Sequence, residues 1–115
     1  METRQNQRKL RRRQLITSLP VHDLDSGALL GVVHDITTEG LCLRAPDAKE
    51  QERCYRLQVG LPEGWPGLNS VVVSARCAWC LASDVPGVFL AGFQFLDILP
   101  DGVDAIEQVI IRYGK

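Results

Sequence analysis

Residues 71–81 read Val-Val-Val-Ser-Ala-Arg-Cys-Ala-Trp-Cys-Leu, and all their odd-numbered positions are apolar. The even-numbered positions include Ser74, Arg76 and Cys80. Because successive side chains of a β-strand point to opposite faces, this alternation predicts a strand whose odd positions face a core. The same parity occurs in residues 55–61, Tyr-Arg-Leu-Gln-Val-Gly-Leu, and in residues 89–95, Phe-Leu-Ala-Gly-Phe-Gln-Phe. These three segments therefore predict strands around a common interior.

Three earlier segments have the composition of strands, namely residues 15–22, 29–35 and 40–44, with a turn rich in Asp, Ser and Gly at residues 23–27. Short strands separated by such turns are typical of antiparallel β-proteins. The sequence therefore predicts a mainly all-β fold of six antiparallel strands, a small β-barrel or sandwich. Residues 62–67 contain two prolines and two glycines and predict a loop, in which Trp65 is either a lid on the core or an exposed contact.

The last segment has a helical period. Its apolar residues recur every three to four positions, as Val103, Ile106, Ile110 and Tyr113. Pro100 suits a first helical position, and Gly114 suits a stop. We expect one C-terminal α-helix whose apolar stripe covers an open end of the barrel.

The N-terminus differs in charge from the rest of the chain. Residues 1–13 hold six basic residues and one acid, a net charge of +5, so the other residues carry −6 of the total of −1. Leu10 is the single large aliphatic residue of residues 1–14, which predicts a flexible basic arm followed by one domain over residues 15–115. The chain has neither an apolar run of about 20 residues nor an apolar N-terminal signal, so we expect a cytoplasmic protein with reduced cysteines and no membrane insertion.

Arginines in the arm are spaced to grip an anion. Arg8 and Arg12 lie four residues apart, as do Arg4 and Arg8. Two guanidinium groups at that spacing can hold two phosphates, or one phosphate and the O6/N7 edge of guanine. A basic arm on its own is equally typical of a general polyanion tether.

The segment Asp35-Ile-Thr-Thr-Glu-Gly40 supplies a second set of candidate ligand-binding groups. On a regular strand Val33, Asp35 and Thr37 share a face, where a carboxylate can accept from the N–H donors of guanine and a hydroxyl can add a bond. Gly40 leaves room for unusual backbone angles or for close approach of a ligand. Alone this is an ordinary strand-to-turn segment. Together with the arginines it predicts a site for an anionic, guanine-bearing ligand.

In these residues the sequence resembles the PilZ domain family of bacterial cyclic di-GMP receptors, which carries Arg-x-x-x-Arg followed by Asp/Asn-x-Ser-x-x-Gly. The matching segments are Arg8-Lys-Leu-Arg-Arg12 and Asp35–Gly40, with Thr37 where serine is usual, and Ala78-Trp79 and Gly92-Phe-Gln-Phe95 also resemble later strands of the family. The resemblance implies a six-stranded antiparallel β-barrel with a C-terminal helix. It also implies cyclic di-GMP binding by Arg8, Arg12, Asp35, Thr37 and Gly40, with Lys9, Arg11 and Arg13 as further candidates.

Catalysis and metal binding are not expected. Cys77-Ala-Trp-Cys80 has a metal-ligand spacing, but an offset of three on a regular strand places the two sulfurs on opposite faces, and no second such pair exists. His22 and His34 flank turns and are expected at the surface. No nucleophile, base and oxyanion site come together, so we predict neither an enzyme nor a cofactor.

The resemblance implies a receptor or adaptor that orders its arm around the dinucleotide and signals to an unidentified protein effector, in control of motility, pili, exopolysaccharide or virulence. We expect a monomer or weak homodimer. Two alternatives remain open: a ligand-blind adaptor of type IV pilus assembly and a small nucleic-acid-binding barrel. The acidic body and the inward parity of Phe89, Phe93 and Phe95 disfavour nucleic acid.

Overall fold

The computed structural model describes the backbone of residues 13–114 and the side chains of residues 14–114. This part of the chain is mostly strand and ends in a helix, α1. The elements are β1 (Arg13–Gln14), β2 (Pro20–Asp23), β3 (Leu29–Ile36), β4 (Gly40–Ala45), β5 (Cys54–Gly60), β6 (Ser70–Ala82), β7 (Phe89–Ile98) and α1 (Pro100–Tyr113).

The strands close into a barrel. Going round it, β3 pairs with β2, then come β5, β6, β7 and β4, and β4 pairs back onto β3. Every pairing is antiparallel. The two-residue β1 adds to the end of β3, beyond the part of β3 that pairs with β2. The predicted six-stranded antiparallel β-barrel with a C-terminal helix is therefore confirmed.

The barrel interior is filled by the alternating apolar positions of the strands. Leu57, Val73 and Cys77 are at most 1% exposed, and Phe93 packs its ring edge-on against Tyr55 with 5.5 Å between ring centroids. Burial of one such aliphatic side chain contributes about 1.5–3 kcal/mol to folding. The inward parity predicted for β5 and for the first half of β6 is confirmed.

A β-bulge reverses that parity in the second half of β6. The register of β6 against β7 shifts between Cys77 and Trp79. Beyond the shift Cys80, predicted on the outer face, packs against the core, whereas Leu81, predicted inside, is 53% exposed. The expected separation of Cys77 and Cys80 onto opposite faces is therefore wrong, because one extra residue in the strand moves every later side chain to the other face.

The predicted first strand is divided in the structure. Residues 15–18 leave the ladder between β1 and β2, and Leu19 still accepts a hydrogen bond from Val33 N–H of β3 at 2.9 Å. Of the predicted span only residues 20–22 belong to a strand, β2, which continues to Asp23 and pairs with β3. The reason lies at the end of α1: Ile16 N–H donates to the carbonyl of Tyr113 at 2.8 Å, and Leu15 forms a bridge with Gly114. The helix thus takes backbone bonds that a continuous strand would give to β3.

Helix α1 begins at the predicted proline and ends before the predicted glycine. It buries Ala105, Ile106 and Val109 in the barrel core, and Gly102 lies directly against Val71 at the start of β6. The apolar stripe therefore covers the barrel end at which β6 begins, as expected. None of the helices in residues 13–114 is long and apolar enough to cross a membrane.

The loop after β5 packs onto this helix. Trp65 is half-buried against the core, and the guanidinium of Arg112 lies 4.8 Å from the centre of its ring. Of the two roles considered for Trp65, the structure shows the lid on the core.

Candidate functional site

The Asp35–Gly40 segment comprises the end of β3, the turn of residues 37–39 and the first residue of β4. Asp35 is half-buried near the end of β3, opposite Cys42 of β4 on one side and Gln14 of β1 on the other. A register shift between Val33 and Asp35 changes the alternation here. Val33 and Ile36 both face the core, so Asp35 points outward and does not share a face with Val33, contrary to the expectation. The Asp35 side chain thus points to the outer side of the barrel, where its Oδ1 atom is buried.

Thr37 holds the turn closed. Its hydroxyl accepts a hydrogen bond from the N–H of Glu39 at 2.9 Å and donates to the carbonyl of Gly40 at 3.5 Å, and its own N–H donates to the same carbonyl at 2.9 Å. The residue is 8% exposed. A hydroxyl oxygen has two lone pairs, so this turn leaves one available. The role of Thr37 toward a ligand stays a prediction, whereas its role in the turn is plain.

Gly40 is required by the neighbouring strand. A Cβ at this position would lie 2.5 Å from the carbonyl oxygen of Phe93 in β7, closer than real Cβ atoms come to any heavy atom. A hydrogen bond beside this position reinforces the contact, because Phe95 N–H donates to the carbonyl of Glu39 at 2.8 Å. Close packing of the β3–β4 turn on β7 thus explains the glycine without unusual backbone angles.

A row of residues extends from Asp35 across four strands. Asp35 pairs with Cys42, Cys42 with Gly92, and Gly92 with Trp79. Gly92 lies between two core residues of β7, so its missing Cβ would point outward, where it would collide with the Trp79 indole. Trp79 therefore lies flat on the outer face of the barrel, half-buried, in the same row as Asp35.

The alternation in residues 71–81 predicts that Trp79 faces the interior, and this prediction is wrong. The bulge after Cys77 is the cause. A usable signal was present in Gly92, since a glycine inside an alternating strand indicates close approach of another group. The outer row thus combines a carboxylate and an aromatic ring, the two groups that recognise the edge and the face of a base.

The basic segment joins the barrel beside this row. Arg13 pairs with Ile36 and Gln14 with Asp35, so the chain leaves the described region next to the carboxylate. The predicted ligand-binding residues Arg8, Lys9, Arg11 and Arg12 lie outside the described residues, and Arg13 is described only in its backbone. The sequence prediction for all five therefore stays a prediction.

The remaining candidates show no assembled chemistry. The four cysteines are free thiols, and burial raises the pKa of the Cys77 thiol, which disfavours the reactive thiolate. Within the described residues no group of three or more His, Cys, Asp or Glu side chains could hold a metal ion.

The fold is similar to that of several solved structures, two of which are described next. The inhibitor of motility MotI/DgrA from Bacillus subtilis superposes with a TM-score of 0.71 at 16% identity, over 89% of this chain and 49% of that chain. The PilZ domain of YcgR from Escherichia coli, solved with c-di-GMP, superposes with a TM-score of 0.67 at 12% identity, over 90% of this chain and 88% of that chain. The chain thus spans about half the length of MotI/DgrA, and at these identities the likeness establishes the fold.

Sequence comparison supplies the family. No curated protein matches the chain. The sequence profile of the PilZ domain matches residues 2–112, which includes both the basic segment and the whole barrel. With the closed six-stranded barrel and the Asp35–Gly40 turn at the expected place, the chain belongs to the PilZ domain family.

Proposed function

We propose that the protein is a receptor for cyclic di-GMP that orders its basic N-terminal segment around the dinucleotide. The observation that carries this proposal is the pairing of Gln14 with Asp35. Arg12 precedes Gln14 by two residues, and Arg8 precedes it by six. A chain extends by at most about 3.6 Å per residue, so both arginines lie within reach of a ligand held at the carboxylate.

The outer row provides recognition of guanine. The Asp35 carboxylate accepts hydrogen bonds from the donors on the Watson–Crick edge of one guanine, and the Trp79 indole stacks on a base. Arg8 and Arg12 hold phosphate and the O6/N7 edge, with Lys9, Arg11 and Arg13 as neighbouring cations. The YcgR domain, which shares the barrel, was solved with this dinucleotide, and this supports the choice of ligand.

The magnitudes are sufficient for micromolar affinity, which needs a net free energy of about −8 kcal/mol. Stacking of a base on an aromatic ring contributes about 1–3 kcal/mol, and each shielded charge-assisted hydrogen bond contributes about 1.5–3 kcal/mol. Loss of translational and rotational freedom opposes binding by about 4–15 kcal/mol. Several such contacts from both the barrel and the arm are therefore required, and neither half suffices alone.

Isothermal titration with cyclic di-GMP tests the proposal. We expect binding, and we expect Asp35→Ala and Arg12→Ala each to weaken it at least about tenfold, the factor that corresponds to 1.4 kcal/mol. Asp25→Ala is the matched control. Asp25 is an exposed carboxylate in the turn between β2 and β3, where it forms an ion pair with Arg56 of β5. No binding at tens of micromolar would refute the proposal and favour the ligand-blind adaptor.

Stacking of a base on Trp79 is tested separately by tryptophan fluorescence. The chain contains two tryptophans, so Trp65→Phe leaves Trp79 as the single indole. We expect the fluorescence of this variant to be quenched by the dinucleotide, whereas Trp79→Phe, which retains Trp65, is expected to show little change. Equal quenching in both variants would contradict the assignment.

We further propose that the liganded protein passes its signal to a protein effector and acts by binding and not by catalysis. The shared fold with an inhibitor of motility supports a role of this kind. A salt-dependent mobility shift with single-stranded DNA or RNA, without binding of the dinucleotide, would instead favour the nucleic-acid-binding class.

A further inference from the structure

A polar cleft of about 290 Å³ lies beside Asp35 on the outer surface of the barrel. It is lined by residues 14–18, by Val33 and His34 of β3, and by Arg44 of β4. The cleft exists because two deviations from regular strand structure face each other. Residues 15–18 leave the ladder, and β3 has its register shift at His34.

The groups that line the cleft favour an anion. Thr17 and Ser18 carry hydroxyls, Gln14 an amide, His34 an imidazole and Arg44 a guanidinium, beside the apolar Leu15, Ile16 and Val33. None of the described residues that line the cleft is Asp or Glu. Within residues 14–114, the side chains of Thr17, Ser18, His34 and Arg44 make no hydrogen bond or ion pair.

Arg44 differs in this respect from two other arginines of the barrel. Arg56 is paired with Asp25, and Arg76 with Glu52 and Gln94. A guanidinium that has no partner among residues 14–114, next to hydroxyl and imidazole donors, is available for the bidentate hydrogen bonds that arginine makes to phosphate oxygens.

The cleft lies next to the Asp35 end of the outer row. His34 immediately precedes Asp35, and Gln14 both lines the cleft and pairs with Asp35. A ligand that places a base edge on Asp35 therefore has its sugar-phosphate portion within reach of the cleft.

We propose that this cleft binds a phosphodiester group of the dinucleotide whose guanine is recognised at Asp35, with Arg44 as the main cation and Thr17, Ser18 and His34 as further donors. The inference rests on the proposed function and adds to it a phosphate site on the barrel, separate from the arginines of the arm. The barrel then contacts both the base and the backbone of the ligand.

The first test is calorimetric titration of Arg44→Gln with cyclic di-GMP. We expect about tenfold weaker binding, as for one shielded charge-assisted contact, and a shallower dependence of affinity on salt concentration. Arg56→Gln removes the same charge from an exposed ion pair elsewhere and is expected to bind within about twofold of the wild type. Thr17→Val removes a hydroxyl without changing charge and is expected to weaken binding about threefold.

A second test distinguishes the dinucleotide from free phosphate as the source of the phosphoryl group. Inorganic phosphate is titrated at constant ionic strength into the ¹⁵N-labelled protein and into Arg44→Gln. For the wild type we expect shifts of the amide signals of Thr17, Ser18 and His34 that disappear in the variant. We also expect saturating dinucleotide to abolish this response to phosphate.

The outcomes separate the two proposals. If the wild type binds the dinucleotide and Arg44→Gln binds it equally well, the phosphate cleft is refuted while the receptor function stands. If the wild type does not bind the dinucleotide but phosphate shifts these signals, the receptor function and the dinucleotide assignment of the cleft both fail, and the cleft is a site for free phosphoryl groups. If neither ligand has an effect, both proposals fail.

Discussion

Replacing Gly40 by alanine places a methyl carbon 2.5 Å from the carbonyl oxygen of Phe93. Ordinary contact begins near 3.4 Å, so the β3–β4 turn and β7 must separate by about 0.9 Å. The oxygen cannot yield alone, because Phe93 is fixed by its pairing with Leu41 and Cys77. Overpacking of this kind costs about 1–3 kcal/mol, and loss of the Phe95-to-Glu39 hydrogen bond adds about 1 kcal/mol. We therefore expect a destabilisation of about 3 kcal/mol.

Urea and thermal unfolding without ligand measure this effect, and we expect the melting temperature to fall by roughly 10 °C. Gly92→Ala is the matched control. There the added methyl meets the Trp79 ring, a side chain that can rotate away, so we expect a loss of about 1 kcal/mol together with weaker dinucleotide binding. If Gly40→Ala unfolds like the wild type without ligand but loses ligand affinity, the glycine serves approach of the ligand, and the packing argument is wrong.

Three further predictions concern the barrel and its helix. Ile106→Ala, at a core position 2% exposed, is expected to cost about 2–5 kcal/mol in urea unfolding, whereas Ile111→Ala, at 71% exposed, should change stability by less than about 0.5 kcal/mol; equal effects would mean that α1 is not part of the core. The hydrogen bond from Arg56 lowers the pKa of Asp25, so this pair stabilises the fold above the unfolded carboxyl pKa and the contribution is lost as pH falls through the lower folded value. An NMR titration should show the Asp25 midpoint rising in Arg56→Gln, and an unchanged midpoint would rule out the pair. Burial raises the pKa of Cys77, so its thiol stays protonated in the fold, and stability is lost as pH rises above the unfolded thiol pKa. Mass spectrometry after alkylation at neutral pH should find Cys54 labelled in the native protein and Cys77 labelled only after unfolding, and comparable labelling would contradict the buried position.

The fold could be predicted because its main signals are local. Alternation in residues 55–61 and the three-to-four spacing after Pro100 are each visible within one segment, and each matches the observed element closely. The differences between the predicted and the observed strands arise from contacts between segments that are distant in the sequence. The strand predicted from Leu15 is interrupted because the end of α1, about 100 residues later, takes its backbone bonds. The residue pattern of one segment does not show that the end of α1 competes with β3 for the backbone hydrogen bonds of this segment.

In the candidate site, too, the part formed by consecutive residues could be predicted, whereas the part formed by neighbouring strands could not. The turn from Asp35 to Gly40 is local, and the sequence placed it at the end of the second predicted strand. The row that continues to Trp79 depends on the registers of three strand pairs and on a bulge in two of them. A single shift of register would exchange Trp79 with an inward-facing residue and separate the indole from Asp35.

The bulges change which side chains face the outside of the barrel. Regular strands would give Asp35 the face of Val33 and would turn Trp79 into the core. The shift at His34 turns the carboxylate outward, and the shift after Cys77 turns the indole outward. Gly92, between them in the row, removes the side chain that would prevent the ring from lying flat. Two register shifts and one glycine thus place the Asp35 side chain and the Trp79 indole in one row on the outer face of the barrel, which a pattern of regular alternation does not predict.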